Sequence, residues 1–420
     1  MGTFQLTDLN ADRHVLIGLD KYVNSSFWFT IVRFFLLAPS RQSQDRTLDP
    51  LPVELYTHIL NHFAPRNFDY PVTRGEHKEL VNIALVCRCF CATVLPWIFH
   101  TLSWPYDGNA MTTLCQGLVQ NAPAAEALAL FVKKASVLQK PMESSLATDA
   151  FIRLHLNGVC RMKELRSLTL SHIAPKKRLC RILEELPNLS TLELLYCISN
   201  DNGAPMKEPI ALPPSLTTLR MLGTRWPSLV DSVDLQVLRE LTTNHEDLLS
   251  RIQKVETLPM ESFLWCGSSH LMTPSLLDRM PNLKKLCYNY DWQETGTVCN
   301  LDFGRVVPLL EEACLPLDFV WRFNISERRL AKLSIAPSRR LAPHQIETLD
   351  VCSSRMKSLC IPHGCYTAWE CASNFPNLQS LEITNVTAPT PGFSNFGISL
   401  FTPYILDEVC HMSVNSATHI

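Results

Sequence analysis

The stretch Leu51-Pro-Val-Glu-Leu-Tyr-Thr-His-Ile-Leu-Asn-His-Phe63 decides how the first part of the chain is built. Leu51, Leu55, Ile59 and Phe63 recur every fourth residue, with Tyr56 and Leu60 one step on. That spacing predicts a helix of about three turns carrying a broad apolar stripe. Pro52 suits the first helical position, where its missing N–H costs nothing, and Glu54 sits in the first turn, favoured by the helix dipole. Two more apolar runs follow a polar insert: Leu80-Val-Asn-Ile-Ala-Leu-Val-Cys-Arg-Cys-Phe90, then residues 92–102 with Leu95, Trp97, Ile98 and Phe99. Three short helices this apolar cannot all bury themselves in about fifty residues, because so small a unit is marginal alone. Part of their surface is therefore expected to meet a partner.

The residues Leu51-Pro52-x-Glu54-Leu55 with Ile59-Leu60, then Leu80 with Leu85-Val86-Cys87-Arg88-x-Phe90, then Leu95-Pro96-Trp97-x-Phe99, resemble an F-box. The F-box is the docking module of SCF-type ubiquitin ligases. The resemblance implies that Leu51, Pro52, Leu55, Ile59, Leu60, Val86, Phe90 and Trp97 face the ligase's small adaptor subunit, and through it cullin. Residues 64–79 form a longer link than that family usually carries, rich in Pro, Arg and Asp. It reads as a surface insertion, which costs little in loop entropy.

Beyond residue 102 one pattern returns, L-x-x-L-x-L, often introduced by Pro-Asn or Pro-Ser. It runs through Leu165/Leu168/Leu170, Leu189/Leu192/Leu194, Leu216/Leu219/Met221 and Leu283/Leu286/Tyr288. It recurs through Leu330/Leu333/Ile335, Ile346/Leu349/Val351, Met356/Leu359/Ile361 and Leu378/Leu381/Ile383. The first three copies start 24 and 27 residues apart, at Leu165, Leu189 and Leu216, and a degenerate Val306-Val-Pro-Leu-Leu310 fills the wide gap before Leu330. A period in the twenties with this signature resembles leucine-rich repeats. The closing L-x-L of each copy alternates inward and outward as a short strand, and stacking buries leucines that no single copy could bury. Regular repeats place Asn or Cys three residues after the last Leu, bonding the backbone at the turn. Cys197 fits that place, whereas Ile173, Thr224, Asp291 and Val386 occupy it in other copies. An irregular solenoid is expected.

In such a stack the outward strand residues Thr169, Glu193, Arg220, Cys287, Asp350 and Glu382 line one face. They are the candidate target-binding residues, and equally the places where a solvated strand face puts polar side chains. Their mixed polarity says nothing of the target's charge.

Composition narrows the function classes. The 420 residues carry 38 basic against 40 acidic side chains, so no electrostatic footprint favours nucleic acid or an anionic membrane. Sixteen cysteines without paired spacing argue for reduced thiols rather than a secreted disulfide scaffold. The apolar run from Phe27 to Leu37 has only eleven residues and includes Arg33, against the roughly twenty a spanning helix needs. It starts too late for a signal peptide, and residues 38–50 read as a linker.

Neither a Gly-rich phosphate loop, a Gly-x-Ser-x-Gly elbow nor His-Glu-x-x-His occurs, and the thirteen histidines are scattered. Cys87, Cys89 and Cys91 cannot share one metal on a helix, and Cys352, Cys360, His363, Cys365 and Cys371 match no familiar zinc spacing. The expectation is a non-enzyme with no cofactor, no metal and no catalytic residue.

The expected class is α/β: an N-terminal three-helix F-box followed by an irregular leucine-rich-repeat solenoid. Residues 1–47 are the extension and linker, 48–102 the F-box domain with its insertion at 64–79, 103–390 the repeat domain and 391–420 a tail. The resemblance implies a substrate-receptor subunit working in ubiquitin-dependent degradation in the cytoplasm or nucleus. Its partners would be the adaptor and a target protein, with no nucleic acid and no membrane. The alternative is a repeat scaffold without ligase role, its helical segment serving as the solenoid cap.

Overall fold

A computed structural model describes residues 53–65, 79–80, 82–84, 88–104, 108–138, 146–174, 177–198, 210–267, 273–288, 307–316, 330–336, 356–362 and 377–384. The expectations for residues 1–52, Val86, the copy at Ile346, the 391–420 tail and most of the 64–79 insertion lie outside them. The described residues form a mixed α/β chain in which every strand pairing is parallel. They fall into two compact units, Met1–Leu216 with Thr224–Ser232, and Thr217–Gly223 with Val233–Ile420.

The first unit opens with helices α1 (Val53–Asn61) and α2 (Arg88–Phe99), which pack on each other. Residues 79–80 and 82–84 are also helical. Helix α2 joins parts of what the sequence presents as two runs. Phe90, Val94, Leu95, Ile98 and Phe99 repeat at helical spacing straight across residue 91, and Pro96 lies inside the helix. The end of the third run is not helical. Thr101–Trp104 is β1, because Leu102 turns inward and the chain pairs with β2 (Lys134–Leu138). Between them lie α3 (Gly108–Val119) and α4 (Pro123–Ala129).

Helix α5 (Leu146–Val159) leads to β3 (Ser167–Ser171), and α6 (Lys177–Glu184) to β4 (Thr191–Leu195). Strands β1 to β4 pair in chain order. Helices α3 and α5 pack face to face. Where they meet, a Cβ on Gly158 would lie 2.5 Å from both Cβ and Sγ of Cys115. His155, fully buried beside it, bonds Thr112 Oγ1 through Nε2 at 3.2 Å. The short helix α7 (Pro227–Ser232) completes this unit, Ser232 Oγ accepting from the Ile210 N–H at 2.9 Å.

The second unit holds β5 (Thr218–Leu222), β6 (Glu240–Thr243), α8 (Glu246–Ile252), β7 (Ser262–Trp265) and α9 (Pro274–Leu277). Strands β8 (Lys285–Tyr288), β9 (Glu312–Pro316), β10 (Lys332–Ala336), β11 (Ser358–Pro362) and β12 (Ser380–Thr384) follow. Here too each strand pairs only with its neighbours in the chain.

The leucine pattern accounts for this architecture. Leu165, Leu168, Leu170, Leu189, Leu192, Leu194, Leu283 and Leu286 are buried at the positions the spacing assigns. Further strands use the same i, i+3, i+5 spacing without leucine at every place. Val132/Ala135/Val137 serves β2, Leu238/Leu241/Thr243 serves β6, Met260/Phe263/Trp265 serves β7 and Leu310/Ala313/Leu315 serves β9. Strand β9 is what the degenerate stretch at residue 306 leads into.

The turn after each strand is also specific. Cys197 is buried and its S–H reaches the Leu170 carbonyl at 3.5 Å. Thr224 stands in the corresponding place and does the same work, its hydroxyl donating to the Leu194 carbonyl at 3.0 Å. At both places a side-chain donor thus meets a carbonyl of the preceding strand. His172 and Tyr196, the residues just past β3 and β4, both take the left-handed conformation (φ 59° and 55°) and stack with centroids 5.1 Å apart.

Candidate functional site

Two surfaces are built by these elements, one on the leading helices and one on the strands. On α1 the apolar stripe divides. Leu60 is 1% exposed and belongs to the core, whereas Leu55, Ile59 and Phe63 stand 47%, 47% and 49% exposed. Leu55 and Ile59 lie one helical turn apart on α1 and Phe63 follows in the turn just past its end, so the three form one bare strip. Phe90 and Trp97 of α2 are half-buried. Leu51, Pro52 and Val86 lie outside the described residues. Of the eight expected docking residues, the structure thus sets Leu55 and Ile59 in the open face, adds Phe63 to it, and turns Leu60 away. Phe63 was in the quoted stripe but outside the motif, which is why the resemblance did not select it.

The strand surface follows from the register. In the first unit Ser103, Ser136, Thr169 and Glu193 occupy one row across β1 to β4. The row is tied side chain to side chain: Ser103 and Ser136 share a hydroxyl–hydroxyl bond of 2.9 Å, and Thr169 Oγ1 donates to Glu193 Oε2 at 3.0 Å. In the second unit the row runs Arg220, Thr242, Leu264, Cys287, Cys314, Ser334, Cys360 and Glu382. The expected residues Thr169, Glu193, Arg220 and Cys287 are therefore row members and all half-buried. Glu382 holds its row position through the backbone of β12, and Asp350 lies outside the described residues. Sequence reading missed Cys314 because Ala313 stands where the pattern wants leucine.

An ionic ladder edges the second unit. Glu261 Oε1 accepts from Arg239 Nη1 at 2.7 Å, and its Oε2 from Lys284 Nζ at 2.8 Å. These bonds, Lys284's first, hold the Glu261 carboxyl below the usual carboxylate range. The pairs are solvent-exposed and add little individually to stability.

The buried thiols are poor nucleophiles. Burial, aided by Cys160, pushes Cys115 up to about 12, and burial pushes Cys197 up to about 11, so both stay protonated near neutrality. Among the described residues no three His, Cys, Asp or Glu side chains are grouped to hold a metal ion. No described helix is long and apolar enough to cross a membrane.

No family model and no curated protein matches this chain. The functional reading therefore rests on its own residues.

Proposed function

We propose that the chain is a substrate-receptor subunit of an SCF-type ubiquitin ligase, with an F-box at its leading helices and irregular leucine-rich repeats behind it. The observation that carries this reading is the bare strip Leu55, Ile59 and Phe63, which its own described residues leave about half exposed. Large apolar side chains contiguous along a helix are the mark of a face that another protein covers. The parallel strands then hold a target protein through the outward rows, Thr169 and Glu193 in the first unit and Arg220 and Cys287 in the second. The receptor performs no chemistry; by tethering the target it raises its effective concentration at the ubiquitin-charged enzyme. Such work belongs to the cytoplasm or nucleus.

One observation favours a second reading, a repeat scaffold capped by its leading helices. Helix α2 packs on β1, and Phe99 and Leu102 at that junction are buried. Terminal repeats need such a cover. The same helices serve both roles if α2 caps and α1 docks, so adaptor binding at the strip is what distinguishes the readings.

The test is co-expression of the full chain with the ligase's small adaptor subunit. The receptor reading expects a one-to-one complex from wild type and none from a Leu55→Ser/Ile59→Ser variant, both chains melting at similar temperature. Failure of wild type to hold the adaptor leaves the scaffold reading standing.

A further inference from the structure

His58 lies in the last turn of α1, and His62 stands in the turn just past its end, four residues on. Both are exposed, and their ring centres are 5.3 Å apart with the ring planes at 77°. The His62 N–H donates to the Ile59 carbonyl at 3.2 Å, which keeps the backbone coiled across the helix end. His58 follows Leu55 by three residues and His62 follows Ile59 by three, so the pair runs alongside the bare apolar strip. Residues 53–65 include no Lys or Arg to compete for the same space.

Two observations select what such a pair takes up. The first is the ring separation. Histidines four residues apart on one helix face can hold a transition ion between them. An ion about 2.0–2.1 Å from one nitrogen of each ring, at a tetrahedral angle, sets the ring centres about 5.2 Å apart. Turning each ring about its Cβ–Cγ bond, a broad torsion for histidine, swings the nitrogens round while the centre stays in place. The 5.3 Å separation therefore matches chelation with no movement of the backbone. The second observation is the place on the helix. The last carbonyls of α1 give its C-terminal end a partial negative charge, which favours a cation. Imidazole donors suit zinc, copper and nickel, whereas calcium and magnesium take oxygen.

We propose that His58 and His62 form a two-imidazole site for a divalent transition ion of the zinc(II) class at the C-terminal end of α1. Binding exchanges two waters of the hydrated ion for one nitrogen of each neutral ring, with no proton or electron transferred. The remaining coordination positions keep water, as open sites do. Once one ring holds the ion, the second binds it within the same molecule, so the pair gains affinity that neither ring has alone. The site stands apart from the ligase reading and survives its failure.

The experiment titrates the full-length chain with zinc(II) by calorimetry after its accessible thiols have been alkylated, since sixteen cysteines would otherwise compete. Wild type is expected to bind one equivalent that a His58→Gln/His62→Gln variant does not, with imidazole nitrogens about 2.0–2.1 Å from the metal by X-ray absorption. His58→Gln and His62→Gln should each weaken that equivalent by about tenfold or more, and the double variant by no more than either, because removing one ring already undoes the chelate. Both positions are exposed, so these changes leave the fold standing, and thermal unfolding without metal should be alike in all four proteins. Zinc should then raise the melting temperature of wild type above that of every variant. The proposal is overturned if wild type binds no equivalent beyond those of the double variant, if either single variant binds as wild type does, or if the two losses simply add.

Discussion

Thr169 Oγ1 and Glu193 Oε2 lie 3.0 Å apart on register-paired positions of β3 and β4, a hydroxyl donating to a carboxylate in the outward row. The bond links two strands without help from the apolar core. Thr169→Val removes the donor and keeps the shape. Glu193 is half-exposed and regains water, so the loss should stay near ~0.5–1.5 kcal/mol, read as a lowered urea midpoint at unchanged slope. A larger loss would mean that the row carries packing as well as polarity.

Neighbouring residues of α1 should behave oppositely. Leu60→Ala empties a buried site and should cost ~2–5 kcal/mol. Ile59→Ala on the open side should change stability by ~0.5 kcal/mol or less and reduce adaptor binding at least about tenfold, as loss of a docking anchor does. Equal destabilisation by the two would show that the strip is covered.

At the turn past β5, Thr224→Val deprives the Leu194 carbonyl of β4 of its hydroxyl donor inside the core. The expected cost is ~1–3 kcal/mol by thermal or urea unfolding. Thr224→Cys should recover part of it, since Cys197 already fills the corresponding place with a sulfur donor.

Gly158 faces Cys115 so closely that any Cβ there would lie 2.5 Å from its side chain. Gly158→Ala raises helix propensity in α5 but forces α3 away. Overpacking of this kind costs ~1–3 kcal/mol. A gain in melting temperature would show that the two helices separate easily.

Glu261 gives the pH dependence a sign. Its folded carboxyl is held below its unfolded value by Lys284 and Arg239. Its contribution is therefore present above the unfolded pKa of about 4.3 and disappears as pH falls through the lowered folded value. Lys284 is raised by the same bond, so its share is present below its usual value of 10.5 and disappears as pH rises through the raised folded value. The stability gap between wild type and Glu261→Gln should be steady from pH 6 to 9 and close toward pH 3, about the range a paired carboxylate spans. A gap independent of pH would dismiss the ladder as a stabilising element.

Much of this was legible because one side-chain spacing repeats. Leu165, Leu168 and Leu170 announce β3 and its entry, and the copies at Leu189, Leu216, Leu283, Leu330, Met356 and Leu378 announce β4, β5, β8, β10, β11 and β12. Where Ala135, Phe263 or Ala313 replaces leucine, the slot survives but its letter does not, and β2, β7 and β9 escape a search for leucine. The stripe at Leu51 showed that a helix would form there but could not divide it. Which side of α1 faces inward depends on α2, and that is settled by packing, not by period. Cys287 and Cys314 stand 27 positions apart in sequence and become neighbours only through the register.

The order of the second unit's strands is held by main-chain atoms. The N–H of each strand-entry residue, Glu261, Lys284, Glu311, Ala331, Lys357 and Gln379, reaches the carbonyl of the entry residue before it. Those bonds are indifferent to the side chains that accompany them. Drift at such positions leaves the alignment untouched, so the outward rungs can be rewritten while the backbone beneath keeps its pitch.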